Sequence, residues 1–191
     1  MCVICVKPKG VDMPTNEILK AMYKANHDGC GFCTPTKSYK GLSFASFMRE
    51  IKSVEKDEPC IMHFRLATHG SVKRSNCHPF YDYETGTWFA HNGILNVRPK
   101  KDKTDSETAF RELFVPYIKR YGLDSDDTKY TIHQVKANTG SKFAFLQGDT
   151  LRLYGDFQVR EGCYYSNLRF MYYLQSDRIY RHNRDIFGNR I

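Results

Sequence analysis

Strands and helices come along this chain in blocks, without regular strand–helix–strand alternation. Parallel sheets need a crossover of a dozen or more residues between neighbouring strands, usually a helix. The block order therefore predicts an α+β domain with mainly antiparallel sheets. Residues 2–7 are apolar and rich in β-branched side chains, so they read as a buried strand. A helix is expected from Pro14-Thr15-Asn16 to about Asn26, with Ile18, Leu19, Met22 and Tyr23 on one face. A strand near Phe32–Thr34 and a helix capped by Ser43 follow. Strands are predicted at 60–65 and 87–91, with a long polar loop from Leu66 to about Pro79 after the first. Asp105 reads as the N-cap of a helix that Pro116 must end or kink. A helix over 127–137 and a hairpin about Gly148-Asp149 complete the series. The stretch 175–191 reads as a basic, frayed tail, with a last strand at its start.

At 191 residues the chain has the length of one domain, spanning 1–191. It has no run of 18 apolar residues, so no membrane helix is expected, and Met1–Lys7 lacks the basic start and apolar length of a secretory signal. A cytoplasmic location is expected. Seven cysteines, an odd number, do not suit a complete disulfide framework. Lys and Arg total 29 against 21 Asp and Glu, a net charge of +8, which favours anionic partners.

Chemistry gathers at a few points. Removal of Met1, usual before a small residue, leaves Cys2 with a free α-amine beside its own sulfur. An amine with a pKa of roughly 8 is a built-in general base for the thiol. Arg65 ends a strand inside a polar loop, where a guanidinium can grip a carboxylate with two parallel bonds. In His91-Asn92-Gly93, an amide and a backbone N–H are placed to point at one oxyanion. Asp105 supplies an acid. Each feature alone also has a plain structural meaning: core cysteine, surface arginine, strand-ending turn, helix cap.

Together these motifs resemble the class II glutamine amidotransferase domain of the N-terminal-nucleophile hydrolase family. The matching residues are Cys2, His63-x-Arg65-x-Ala67-Thr68-His69-Gly70, Asn76-x-His78-Pro79, His91-Asn92-Gly93 and Asp105-Ser106-Glu107, with Asp28-Gly29-x-Gly31 as a further turn. The resemblance covers at least residues 1–110. Two positions depart from the family pattern: Val3 stands where glycine usually follows the nucleophile, and Leu66 where a bulky residue usually follows the arginine. The resemblance implies a four-layer α/β/β/α sandwich of two mainly antiparallel sheets between helices. It also implies that Cys2 attacks the carboxamide of glutamine, forming a thioester and releasing ammonia. Asn92 and Gly93 then hold the oxyanion, Arg65 binds the α-carboxylate, Asp105 the α-ammonium, and Thr68 and His69 line the pocket. No cofactor or metal is implied. Ammonia passes to a separate synthase subunit, or the enzyme works as a free-standing amidase. His63 and His78 are expected to be structural, satisfied by backbone.

Three other readings compete. Cys2-x-x-Cys5 and Cys30-x-x-Cys33 have a zinc-like pattern, but Cys2 and Cys5 would lie in one strand, where i and i+3 face opposite ways. Lys73-Arg74, the Arg98–Lys103 loop and Arg169, Arg178, Arg181, Arg184 and Arg190, interleaved with Tyr172, Tyr173 and Tyr180, suit nucleic acid. An N-terminal-nucleophile amidase acting on another amide keeps the fold and changes the substrate.

Overall fold

A computed structural model of the protein describes residues 1–67, 71–137 and 139–176. Among these, ten strands form two antiparallel sheets. The first has the order β3-β2-β4-β1-β10-β9 and the second β5-β6-β7-β8. In the first sheet, β1 (Val3–Lys7) pairs with β4 (Cys60–Phe64) and with β10 (Cys163–Tyr165). Beyond β4 lie β2 (Cys30–Cys33) and β3 (Ser38–Gly41), and beyond β10 lies β9 (Gln158–Arg160). The second sheet is a meander of β5 (Phe80–Asp82), β6 (Thr87–Asn92), β7 (Lys142–Gln147) and β8 (Thr150–Tyr154).

Alternation of side chains divides the core into three parts. Ile4, Val6, Cys33 and Ile61 of the first sheet meet Ala90, Ala144 and Leu146 of the second. Small alanines on one side let the two sheets approach closely. The opposite face of the first sheet, with Val3, Cys5, Phe32, Met62 and Phe64, packs on α1 (Asn16–Ala25) and α2 (Phe44–Glu50). The outer face of the second sheet, with Phe89, Phe143 and Phe145, packs on the helices after residue 104. The result is the four-layer α/β/β/α order that the resemblance implies, although composition and periodicity alone indicate only α+β.

Local signals explain most element ends. Thr15 caps α1 by accepting the Ile18 N–H at 3.3 Å, and Ser43 caps α2 by accepting that of Ser46 at 3.2 Å. Asp105 is not a cap: Thr104 accepts the Glu107 N–H at 3.1 Å, and Asp105 opens α3 (Asp105–Ala109). Pro116 does not end the helix. A wide π-type turn over Phe110–Phe114 precedes it, and the chain continues as α4 (Val115–Tyr121). Pro116 then stands in the first turn of α4, where its missing N–H costs little. A further helix is α5 (Asp126–Ala137). The short strands β3 and β5 carry no sequence period long enough to read. Residues 171–176 are helical, so the strand expected from 175 does not form there. The rest of the expected tail, including Arg178, Tyr180, Arg181, Arg184 and Arg190, lies outside the described residues.

Candidate functional site

Antiparallel register brings the motifs together. Val3 pairs with Phe64, so Cys2, one residue earlier, faces the exit of β4 at Arg65-Leu66. Its sulfur accepts the Leu66 N–H at 3.4 Å. Cys30 pairs with Phe64 on the other side of β4, which sets the Asp28-Gly29 turn against the same exit. Asp28 N–H donates to the Arg65 carbonyl at 2.9 Å, and Arg65 N–H to that of Gly29 at 2.8 Å. The Asp28 carboxylate then accepts the Ala67 N–H at 2.8 Å. Gly29 has φ +145° and a Cβ there would collide with the Cys77 sulfur, so only glycine allows this clamp.

A narrow cleft of about 40 Å³ opens at this junction, lined by Cys2, Arg65, Gly93 and Asp105 among others. Four of the expected site residues therefore line one cleft. Asn92 sits one residue back, buried, with its Nδ2 donating to Ser166 Oγ at 2.9 Å. Thr68 and His69 lie outside the described residues. Arg65 is 4% exposed, and its guanidinium donates to the Ser71 carbonyl at 3.2 Å. Asp105 Oδ2 accepts the Leu95 N–H at 2.9 Å and Oδ1 the Ser106 N–H at 2.8 Å. These bonds tie the chain after Gly93 to the start of α3.

Gly93 has φ +152°, and a Cβ there would stand 2.5 Å from Ser141 Oγ and 2.9 Å from His91 Nε2. The packing behind it is a polar strut. His91 Nε2 lies 2.9 Å from Ser141 Oγ and Nδ1 lies 2.8 Å from Ser106 Oγ. Burial lowers the His91 pKa to about 4, with the Asp105 charge acting in the other direction, so the ring is neutral at pH 7. His63 Nε2 donates to the His91 carbonyl at 3.1 Å, and burial lowers its pKa to about 3. His78 differs from the backbone-satisfied residue expected: both its ring nitrogens are buried without a partner among the described residues. It lines the cleft, and its ring centre lies 4.3 Å from that of His63, the two planes tilted by 33°.

Burial pushes the Cys2 thiol above its ordinary pKa, although the Leu66 N–H, the N-terminal charge and Arg65 all favour the thiolate. The resting sulfur is thus a thiol that needs a base. The zinc pattern does not converge. Cys5 and Cys30 belong to the helix-side core and Cys33 to the core between the sheets. Among the described residues no three His, Cys, Asp or Glu side chains are grouped to hold a metal ion, and no helix is long and apolar enough to cross a membrane.

Sequence reasoning missed the role of Ser166 and Asn167. Ser166 is fully buried, and its Oγ accepts both the Ile4 N–H at 2.8 Å and Asn92 Nδ2. Asn167 Nδ2 donates to the Cys2 carbonyl at 2.8 Å. One Ser-Asn pair after β10 thus anchors both the Cys2 strand and the Asn92 side chain. Two polar residues directly after the apolar run of β10 were the available signal.

The family model of the class-II glutamine amidotransferases matches residues 21–159. The chain belongs to this family. The match starts after Cys2 and spans the Arg65, Asn92-Gly93 and Asp105 motifs. Glutamine–fructose-6-phosphate aminotransferase (isomerizing) of Methanococcus maripaludis is 32% identical over 83 residues, covering 41% of this chain and 14% of that protein. Two solved structures share the fold. Glutamine phosphoribosylpyrophosphate amidotransferase from B. subtilis, complexed with ADP and GMP, superposes with a TM-score of 0.54 at 20% identity. A structure described as the allosteric regulatory enzyme of purine biosynthesis does so with a TM-score of 0.56 at 16% identity. Each comparison covers 86% of this chain and 41% of the other. The chain thus spans well under half the length of these relatives.

Proposed function

We propose that this class-II amidotransferase domain hydrolyses glutamine to glutamate and ammonia through a thioester on Cys2. The observation that carries the proposal is that Cys2, Arg65, Gly93 and Asp105 line one cleft. A free amino acid presents one carboxylate and one ammonium at its α-carbon, and the cleft offers one guanidinium and one carboxylate to match. Arg65 binds the α-carboxylate, and Asp105 the α-ammonium through lone pairs not used by Leu95 and Ser106. Thr68 and His69 belong to the same pocket in this reading.

The first step needs a base, because Cys2 rests as a thiol. Removal of Met1 frees the Cys2 amine, which takes the thiol proton as sulfur attacks the carboxamide carbon. Asn92 Nδ2 carries two hydrogens, one of which is held by Ser166. The second, with the Gly93 N–H, stabilises the oxyanion. The ammonium form of the Cys2 amine returns its proton to the departing nitrogen, and ammonia leaves. Water, deprotonated by the same amine, cleaves the thioester and releases glutamate. In this reading the ammonia passes to a separate synthase subunit or is released by a free-standing amidase, in the cytoplasm. Glutamate release assayed on wild type and Cys2→Ala tests the reading. Loss of activity with an unchanged circular dichroism spectrum is expected, and retained turnover refutes it.

A further inference from the structure

Away from the glutamine cleft, a second cavity of about 320 Å³ opens at the edge of the sandwich, between β3 and the β5–β6 hairpin. Its walls combine three cations, Lys40, Arg74 and Arg111, with the aromatic rings of Tyr81, Tyr83 and Trp88. That volume is within the range of small-molecule sites. The glutamine reading uses none of these residues.

The charge here is only partly compensated: Arg111 pairs with Glu107 at 2.9 Å. Lys40 Nζ stands 4.9 Å from the centre of the Phe80 ring, and no carboxylate pairs with Lys40 or Arg74 among the described residues. Glu107, whose charge acts on Lys40, is already bonded to Lys103 at 2.8 Å and to Arg111 at 2.9 Å. Burial lowers the Lys40 pKa. Glu107 and Cys77 pull it up, while the guanidiniums of Arg111 and Arg74 push it further down. A half-buried ammonium that feels two guanidinium charges gains from a further anion beside it. The Arg74 Nε donates to the Lys40 carbonyl at 2.9 Å, so two of the cations are fixed relative to each other.

The aromatic side is equally specific. Tyr81 and Trp88 are cross-strand partners with ring centres 4.3 Å apart. Tyr83 meets Tyr81 edge-on at 4.8 Å and is 88% exposed. Exposed rings beside a cation cluster form a stacking platform next to a phosphate-type site. A simple inorganic anion would leave the rings unused, and a neutral aromatic molecule would leave the cations unpaired.

We propose that this cavity binds a nucleoside phosphate, with the base on Tyr81, Tyr83 and Trp88 and the phosphate on Lys40, Arg74 and Arg111. A free nucleotide and a nucleotide within a single strand present the same chemistry, and the experiment separates them. The cavity lies close to the glutamine cleft: His78 lines the cleft and the next residue, Pro79, lines the cavity. Arg111 also lies on the helix that Asp105 opens.

Trp88 is the only tryptophan of the chain and lines this cavity, so its fluorescence reports occupancy directly. The full-length protein is titrated with AMP, UMP, adenosine, inorganic phosphate and a ten-residue oligo-dT. Saturable quenching by AMP and UMP is expected, with adenosine and phosphate each at least about 10-fold weaker. Tighter binding of oligo-dT than of the mononucleotides assigns the site to a single strand, and equal or weaker binding assigns it to a free nucleotide. Lys40→Ala and Arg74→Ala should each weaken AMP about 10-fold. Tyr83→Ala, at an exposed position that does not endanger folding, should bring AMP down to the affinity of phosphate. Glutamate release by these variants should stay within about twofold of wild type. Absence of quenching by both AMP and oligo-dT, phosphate binding as tightly as AMP, or unchanged AMP affinity in Lys40→Ala overturns the proposal.

Discussion

Replacing Ser166 by alanine removes one oxygen and strands two buried donors. The Ile4 N–H is fully buried and the Asn92 side chain is 5% exposed, so water cannot replace the lost acceptor. Each unsatisfied donor costs about 1–3 kcal/mol. Stability should therefore fall by about 2–6 kcal/mol, a large share of the roughly 5–15 kcal/mol of a typical domain. Catalysis should fall separately. Removing an oxyanion donor outright costs about 10²–10³ in kcat, and an Asn92 amide that keeps its hydrogens but loses its anchor should cost about 10- to 100-fold. KM should move little, because Ser166 touches neither Arg65 nor Asp105 in the hydrogen bonds described. Urea unfolding gives the first quantity and initial rates of glutamate release the second, measured where the variant is still folded. A Ser166→Ala protein within about 0.5 kcal/mol and twofold in kcat of wild type would refute the reasoning.

Other consequences follow from the same geometry. Arg65→Lys keeps the charge but loses the planar two-pronged contact, so KM for glutamine should rise about 10-fold with a smaller change in kcat. Gly93→Ala forces a side chain to φ +152° and to 2.5 Å from Ser141 Oγ, so both the unfolding midpoint and activity should drop sharply. His91 and His63 have folded pKa values of about 4 and about 3, below the ordinary 6.5. The unfolded chain therefore binds protons first as pH falls below 6.5. Stability should decline from there toward pH 4 by up to about 1.4 kcal/mol per pH unit for each histidine, and this contribution should be flat above pH 7. Urea midpoints across pH 4.5–8 check the sign, and His91→Gln should remove its share of the slope.

The fold class was legible from the order of strands and helices together with the family resemblance. Cys2, Arg65 and Gly93 are candidates by residue identity at strand ends and Asp105 at a helix start, and the fold brings all four to one cleft. Long strands such as β6 and β7 were readable from their apolar runs, whereas three- and four-residue strands such as β5 and β3 were not. Thr104 rather than Asp105 caps α3 because either side chain can accept the bond and only the local backbone decides. The passage through Pro116 depends on a wide turn that no residue type marks. Ser166 was unreadable as a hub because its two partners, Ile4 and Asn92, lie on different sheets and far away in sequence. The orphaned ring of His78 depends on packing against His63, which likewise has no local signature.

Intact-mass and peptide mass spectrometry, before and after treatment with a diazo-ketone analogue of glutamine, tests the central claim most directly. The account predicts a mature chain lacking Met1 that gains a single adduct, located on Cys2, with glutamine protecting against labelling. A chain that retains Met1 yet hydrolyses glutamine, or an adduct found only on another of the seven cysteines, would contradict it.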